Sequence, residues 1–184
     1  VLTHAHIDHT GYLPRLIKYA FGAPVHCTPA TAELLELMLM DAAHIQEEDA
    51  KWANKKGFSK HKPAEPLYDS YDALKALELL RSHEFAEWVD LGDGLRLRFH
   101  NAGHILGAAF AEFRIAQKMR DSVHPGEVTV VFSGDLGRYL QCDSRLAELG
   151  GADLTAGLGL RELLHRVLGD DLDRRLDLPL SDHR

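Results

Sequence analysis

The sequence has few cysteines, and they do not lie at the spacings typical of metal-binding or disulfide-forming pairs. The two cysteines, Cys27 and Cys142, are far apart, and neither belongs to a C-x-x-C motif. This distribution argues against a disulfide framework and against a cysteine-based zinc site. We therefore expect both thiols to be small, buried apolar side chains.

The sequence also lacks long apolar runs and an excess of positive charge. No apolar run approaches the roughly 20 residues that a membrane helix needs, and the first residues do not resemble a signal peptide. We therefore expect a cytoplasmic protein with no membrane partner. The formal net charge of -7 argues against nucleic-acid binding by bulk charge, because phosphate affinity comes mainly from Lys and Arg. Any nucleic-acid contact would have to be local.

What is present is the composition of an ordinary globular domain. The chain has 184 residues, of which 45% are hydrophobic and 27% are charged. The pattern of apolar residues predicts an α/β fold. Helices are predicted at 10–20, Pro29–Lys56 and 72–83, a loop at 58–73, and strands at 24–28, 88–91, 95–100, Ala109–Ala116 and 128–132. The apolar stripe of the longest helix is predicted to contain Leu34, Leu35, Leu37, Met38, Ile45 and Trp52.

Near its first residue the chain carries a dense cluster of histidines, in the stretch THAHIDHTG at residues 3–11. His4 and His6 can point the same way from an extended segment, whereas Asp8 and His9 can turn back from the start of a helix. One loop can therefore supply ligands to two adjacent metal sites. Imidazole and carboxylate groups suit zinc, manganese or iron. The alternative, a set of solvated loop histidines, is disfavoured by this spacing directly after a short apolar strand.

Two later stretches place a histidine and an aspartate at predicted strand ends. NAGHILGAA carries His104 in a loop flanked by glycines, and FSGDLGR carries Asp135 after a buried strand. Taken singly, such residues are more often structural than functional. Taken with the histidine cluster, they predict further metal ligands. His26 and His44 lie away from these stretches and are expected to be structural.

Three stretches resemble sequence motifs of a known superfamily. THAHIDHTGYLPRL, NAGHILGAA and VVFSGDLGR, in that order, resemble the second, third and fourth motifs of the metallo-β-lactamase superfamily. The stretches GYLPRL, HIQEEDA and GHILGAA are similar to sequences of its β-CASP branch of RNA-processing nucleases. This branch includes ribonuclease J-like enzymes, RNA exonucleases and the 3′-end processing endonuclease. This resemblance implies an αββα sandwich that binds two zinc ions, with manganese as an alternative. It also implies cleavage of RNA phosphodiester bonds by a hydroxide that the metal pair activates.

The same resemblance implies a ligand set. The implied ligands of one metal are His4, His6 and His104. Those of the second metal are Asp8 and His9, and Asp135 bridges the two metals. Asp8 and Asp135 are also the implied catalytic carboxylates, with Asp8 holding the attacking hydroxide in position.

The resemblance covers only part of the family's fold. Relatives have several strands before the second motif and a β-CASP cap domain after the fourth, and neither is recognisable here. We therefore expect residues 1–138 to form a partial metallo-β-lactamase-like domain that is truncated at its N-terminus. Residues 139–184 are expected to be a divergent or frame-shifted tail with one helix near 158–168. His165 and His183 lie in this tail outside any motif, so neither is assigned a metal role.

Two other functions stay open. The first is a metallo-hydrolase that acts on a small ester, thioester, lactone or phosphodiester and needs no cap domain. The second is an inactive fragment or a binding module. The local basic stretch, Lys51, Lys55, Lys56, Lys60, His61 and Lys62, is either a solvated helix face or a phosphate contact. The sequence leaves the oligomeric state and the choice between exonuclease and endonuclease open.

Overall fold

A computed structural model of the chain describes residues 1–116 and 127–137. Its helices are α1 (Ile7–Thr10), α2 (Leu13–Lys18), α3 (Pro29–Lys56) and α4 (Ser70–Glu78). Its strands are β1 (Val25–Cys27), β2 (Leu80–Ser82), β3 (Trp88–Gly92), β4 (Leu95–Asn101), β5 (Ala109–Ala116) and β6 (Glu127–Phe132). The predicted α/β class is confirmed. Cys142, the helix expected at 158–168 and the domain boundary expected after residue 138 lie outside the described residues, so these expectations stay predictions.

Helix α3 has the predicted bounds because local signals mark both of its ends. The Thr28 side chain caps the N-terminus by accepting from the Thr31 N–H, and Pro29 occupies the first turn. Gly57 takes the left-handed conformation that ends the helix, with φ 69°. Local capping therefore defines this helix independently of the rest of the fold.

The predicted apolar stripe of α3 is wrong for three of its members. Leu37, Ile45 and Trp52 are exposed, with 71%, 52% and 56% of their surface accessible. The buried stripe instead repeats at every fourth residue along the first half of the helix, where two leucines lie between smaller side chains. Its members are Thr31, Leu35, Leu39 and Ala43, followed by Ala50 and Ala53.

The helices predicted at 10–20 and 72–83 also differ from the observed ones. The first corresponds to the shorter α2, which follows a separate helix α1 in the histidine stretch, and the second begins earlier and ends at Glu78. Asp69 and Asp72 form a capping box that starts α4 at Ser70. Residues 80–82 leave the helix and pair in parallel with β1, Val25 opposite Leu80. This pairing satisfies the backbone of β1, a requirement that no local pattern in residues 72–83 reveals.

Strands β3 to β6 form an antiparallel sheet in sequential order, with an apolar face and a charged face. The apolar face buries Leu97, Phe99, Ala109 and Ala111. On the opposite face the register aligns Trp88 with Arg98, Arg98 with Glu112, and Glu112 with Val131. Alternation along each strand therefore separates an apolar core from a charged network.

The first three residues connect the two sheets. The Leu2 N–H donates to the His26 carbonyl at 2.8 Å, and the Thr3 carbonyl accepts from the Ala109 N–H at 2.8 Å. The histidine cluster is therefore held between the ends of β1 and β5. Cys27, in β1, is buried as predicted, and its burial raises the pKa of its thiol to about 11. Among the described residues, no helix is long and apolar enough to span a membrane.

Candidate metal centre

The histidine cluster lies on a short extended segment that turns directly into helix α1. His6 is the N-cap residue of α1, and its carbonyl accepts hydrogen bonds from the backbone N–H of His9 and of Thr10. The Thr10 hydroxyl also bonds to the His6 carbonyl at 2.9 Å. These bonds close a tight turn, so that side chains before and after it face one region.

His104 lies in a loop between β4 and β5 that has its own internal hydrogen bonds. The Ala102 N–H donates to the Ala108 carbonyl at 3.0 Å, and the Ala108 N–H donates to the Ile105 carbonyl at 2.9 Å. The loop is also attached to helix α3, because the Thr28 hydroxyl lies 2.6 Å from the Gly107 carbonyl. The orientation of His104 is thus coupled to the start of α3.

Asp135 follows strand β6 and is held against the same loop. The Gly137 N–H, two residues later, donates to the Ala102 carbonyl at 2.8 Å. Gly134, directly before Asp135, has φ 54°. A side chain there would meet the Thr3 hydroxyl at 2.5 Å, so only glycine allows this close approach to the histidine segment.

These segments bring four of the six predicted residues into one compact group. Ligand atoms of His4, His6, His104 and Asp135 all lie within 4.8 Å of one another. The His4 Nε2 and the His104 Nε2 lie 3.1 and 3.2 Å from the His6 Nδ1. Both Nε2 atoms also face the Asp135 Oδ2, at 3.7 Å for His4 and 3.5 Å for His104. Three imidazoles and one carboxylate therefore converge on one point, an arrangement that can hold a metal ion.

The two remaining predicted residues lie on the other side of Asp135. The His9 Nε2 is 3.4 Å from the Asp135 Oδ1, the oxygen that does not face His4 and His104. The Asp8 carboxylate contacts His9 at 3.7 Å and is 75% exposed. Asp135 thus contacts the three-histidine group through one oxygen and His9 through the other, while Asp8 lies at the solvent-facing side.

His4 is the buried centre of the cluster. Its surface is fully covered. Burial and the neighbouring His9 lower the pKa of His4, against the opposing effect of Asp135. The ring is therefore neutral near pH 7, the state in which its Nε2 can donate a lone pair.

The sequence did not reveal the residues that orient these ligands. The Thr3 hydroxyl lies 3.2 Å from the His4 Nδ1, so a proton on Nδ1 leaves Nε2 free for a ligand. Thr28 caps helix α3 and also bonds to the loop of His104. Thr31 reaches the same Gly107 carbonyl at 3.1 Å. No local signal in the sequence distinguishes these three threonines from others.

The chain is similar to known proteins over most of its length, although no protein-family profile matches it. It is 38% identical to ribonuclease TTHA0252 of Thermus thermophilus over 138 residues, which is 74% of this chain and 25% of that protein. It is 35% identical to transcription termination factor FttA of Methanosarcina mazei over 135 residues, 73% of this chain and 18% of that protein. The chain therefore spans a quarter or less of the length of these relatives. A solved structure of MEM-A1, a subclass B3 metallo-beta-lactamase from a soil metagenome library, has a TM-score of 0.40 at 18% identity and covers 71% of this chain and 39% of its own.

Proposed function

Because this chain belongs to the β-CASP RNA-processing branch of the metallo-β-lactamase superfamily, we propose that it carries the metal centre of a hydrolase that cleaves RNA phosphodiester bonds. The observation that carries this proposal is the position of Asp135, whose two oxygens face different histidines. A carboxylate with this environment suits a bridge between two cations.

The donor atoms of the cluster suit a catalytic divalent metal. Nitrogen and oxygen ligands without a thiolate are typical of catalytic zinc sites and also suit manganese. The group contains one carboxylate, and burial favours the neutral form of its His4 ring. A divalent cation would compensate this charge, which supports a metal at the point where the four side chains converge.

The finer assignment is a pair of zinc ions, with manganese as the alternative. One ion would be held by the three-histidine group, the second by Asp8 and His9, and Asp135 would bridge them. The split of the Asp135 contacts, Oδ2 toward His104 and Oδ1 toward His9, supports this division. The ligands of the first ion are His4, His6 and His104.

The chain's own residues would position the reacting groups. When bound, the metals supply Lewis acidity toward water and toward the phosphate oxygens. Asp8 is exposed beside His9 and can accept a hydrogen bond from a water molecule on the open side of the cluster. The Thr3 hydroxyl keeps the His4 ring in one orientation, and the Gly107 loop keeps His104 in place.

RNA is the proposed substrate because one relative is named as a ribonuclease and the other as a transcription termination factor. The cytoplasm is the location that we propose with it. The two alternatives, hydrolysis of a small ester and a binding module without activity, share the same cluster. Unlike the proposed function, neither alternative includes cleavage of RNA.

The metal site is tested by metal analysis of the purified chain and of His4→Ala/His6→Ala. We expect the wild type to retain zinc or manganese after dialysis and the double variant to retain none. His44→Ala is the matched control, because His44 is an exposed histidine on α3 outside the cluster. Equal metal content in the wild type and the double variant would refute the site.

The substrate is tested by incubating the metal-loaded protein with end-labelled RNA and, separately, with a chromogenic small ester. We expect shortened RNA products with the wild type, and none with Asp8→Asn or after chelation. Ester hydrolysis with intact RNA would overturn the RNA assignment in favour of the small-ester alternative. Bound metal with neither reaction would overturn it in favour of the binding module.

A further inference from the structure

One segment of the chain has a charge opposite to that of the whole molecule. Residues 51–62, KWANKKGFSKHK, contain five lysines and one histidine but no carboxylate, in a chain of formal net charge -7. We call this stretch the basic aromatic segment, because it also contains Trp52 and Phe58. The proposed metal centre uses none of its residues.

Both aromatic rings of the basic aromatic segment are exposed and in contact with each other. Trp52 is 56% accessible and Phe58 is 60% accessible. Their ring centroids lie 4.8 Å apart with an interplanar angle of 63°. Gly57 ends helix α3 between them in a left-handed turn, which folds Phe58 back toward Trp52. The rings flank an open groove of about 480 Å³, which Pro66 and Leu67 also line.

Four of the five lysines in the basic aromatic segment are free of ion pairs within the part of the chain that the structure describes. Lys55, Lys56, Lys60 and Lys62 are exposed, and within residues 1–116 and 127–137 no carboxylate lies within ion-pair distance of them. Lys51 differs, because it bonds to Glu48 at 2.7 Å. Asp49 and Glu65 line the groove itself. A polyanion would therefore contact these lysines and avoid the two carboxylates that line the groove.

Free lysines beside exposed aromatic rings match the chemistry that binds single-stranded nucleic acid. Unpaired bases stack on aromatic faces, while lysines contact the phosphates between them. A duplex keeps its bases stacked inside and cannot use the rings. An apolar protein segment would use the rings but would leave four unpaired cations at its edge.

We propose that the basic aromatic segment is a binding surface for single-stranded RNA. Bases stack on Trp52 and Phe58, and the lysines at positions 55, 56, 60 and 62 contact the phosphates. The choice of RNA over single-stranded DNA rests on the proposed function, whereas the surface itself would bind either. The surface binds RNA whether or not the metal centre cleaves it.

The surface is remote from the metal centre. The N-terminal end of α3 contacts the His104 loop through Thr28 and Gly107, and the basic aromatic segment begins near the other end of this 28-residue helix. At 1.5 Å per residue the helix is about 42 Å long. An RNA strand that occupies both sites must therefore extend along most of this helix.

The lysine contacts are tested by fluorescence anisotropy with a labelled 20-nucleotide oligouridylate, in the presence of a chelator so that the metal centre cannot cleave the probe. We expect Lys55→Gln/Lys60→Gln to bind about tenfold more weakly at low salt and to reduce the slope of log affinity against log salt by about 1.4. Lys18→Gln/Lys75→Gln is the matched control, since it changes the net charge equally outside the segment. Equal losses in the two variants, or no loss in the first, would overturn the proposal.

The aromatic contacts are tested separately. Trp52→Ala should weaken binding about tenfold, whereas Tyr19→Ala, an equally exposed aromatic elsewhere, should not change it. In the Trp88→Phe background Trp52 is the remaining tryptophan, and its fluorescence should be quenched by added RNA. Unchanged affinity of Trp52→Ala and absent quenching would overturn the stacking surface and favour a protein partner for the rings.

Two further comparisons separate this surface from the metal centre and identify the nucleic acid. In the presence of a chelator, His4→Ala/His6→Ala should bind the oligouridylate as the equally metal-free wild type does. Weaker binding by this variant would refute an independent surface. An oligothymidylate of equal length should compete for the surface. Competition by a DNA duplex alone would overturn the single-strand assignment.

Discussion

At the scale of single residues, the position of His104 depends on a glycine that packs against the start of helix α3. Gly107 has φ 77°. A side chain at this position would lie 2.6 Å from the Thr31 backbone nitrogen and 2.9 Å from the Ala30 Cβ. Such distances are too short for any real side chain, so the loop can lie here only with glycine.

Gly107→Ala should therefore weaken both the fold and metal binding. The left-handed conformation costs about 1 kcal/mol for alanine, and the overlap with α3 adds about 1–3 kcal/mol. Gly57→Ala is the control, because Gly57 has φ 69° but nothing within 4 Å of an added Cβ. In urea unfolding, Gly57→Ala should lose only the roughly 1 kcal/mol that the left-handed conformation costs. Zinc titration should show weaker binding for Gly107→Ala only, and equal affinities would contradict this coupling.

At the scale of secondary-structure elements, Thr28 joins helix α3 to the metal centre. Its hydroxyl caps the helix and also lies 2.6 Å from the Gly107 carbonyl. Thr28→Ala should lose about 1–2 kcal/mol of stability, because the cap and a buried hydrogen bond both disappear. Thr28→Ser keeps the hydroxyl and should remain close to the wild type in thermal unfolding. A Ser variant as unstable as the Ala variant would show that the methyl group, and not the hydroxyl, matters.

The four-stranded sheet depends on a buried carboxylate with several cationic partners. Glu112 is fully buried and accepts hydrogen bonds from Arg98 at 2.6 Å, His100 at 2.7 Å and Arg114 at 3.2 Å. Burial opposes the charged form, but these bonds outweigh it and lower the pKa of Glu112. The charged form of Glu112 therefore stabilises the folded state.

Glu112→Ala should destabilise the protein by about 3 kcal/mol or more, because it leaves guanidinium groups partly buried without their carboxylate. Glu127→Ala is the control, since Glu127 pairs with Arg96 and Arg114 at the surface and its loss should cost about 1 kcal/mol or less.

The sign of the pH effect on stability follows from the lowered pKa of Glu112. The contribution of Glu112 is complete above its usual value of 4.5 and is lost as the pH falls through the lower folded value. The free energies of unfolding of the wild type and of Glu112→Gln should therefore converge once the pH lies below the folded pKa of Glu112.

At the scale of the whole molecule, a histidine pair lies where the two sheets meet. The His26 Nδ1 and the His83 Nε2 are 2.8 Å apart, with the rings stacked. The His83 N–H donates to the Cys27 carbonyl, and the Ala86 N–H, three residues later, donates to the Phe99 carbonyl. The segment that contains His83 therefore connects β1 with β4. The expectation that His26 is structural agrees with this position.

Protonation of this pair should loosen the junction of the sheets. Burial lowers the pKa of both rings, and the neighbouring His83 lowers the pKa of His26 further. Their other charged neighbours are Arg81 and Glu87. Because the unfolded chain binds these protons more readily, the stability contribution is complete above the usual pKa of 6.5 and declines as the pH falls below it.

His83→Gln should therefore show a shallower loss of stability between about pH 7 and pH 5 than the wild type does. Glutamine cannot be protonated in this range, so one of the two titrating groups is removed. His44→Gln removes an exposed histidine from α3 and should keep the wild-type slope. Urea midpoints measured across this range provide the comparison. Parallel curves for the wild type and His83→Gln would show that the pair does not control the junction.

The sequence determined by itself those features that depend on neighbouring residues. Thr28, Pro29 and Gly57 define α3 because caps act within one turn. The spacing of His4 and His6 predicted that both face one region, and the cluster does contain them. The α/β class likewise followed from the sequence, since alternating apolar and polar residues predicted β4 and β5 and a continuous apolar run predicted β6.

Only the tertiary structure decided the features that depend on distant partners. Residues 80–82 became a strand because β1 needed a partner, and Trp52 became exposed because the core took another face of α3. Thr3 reached Gly134, and Thr28 reached Gly107, across 131 and 79 positions of the sequence. These contacts form only after non-local closure of the chain, so no local pattern records them. That closure also brings four separate side chains, His4, His6, His104 and Asp135, into one compact group.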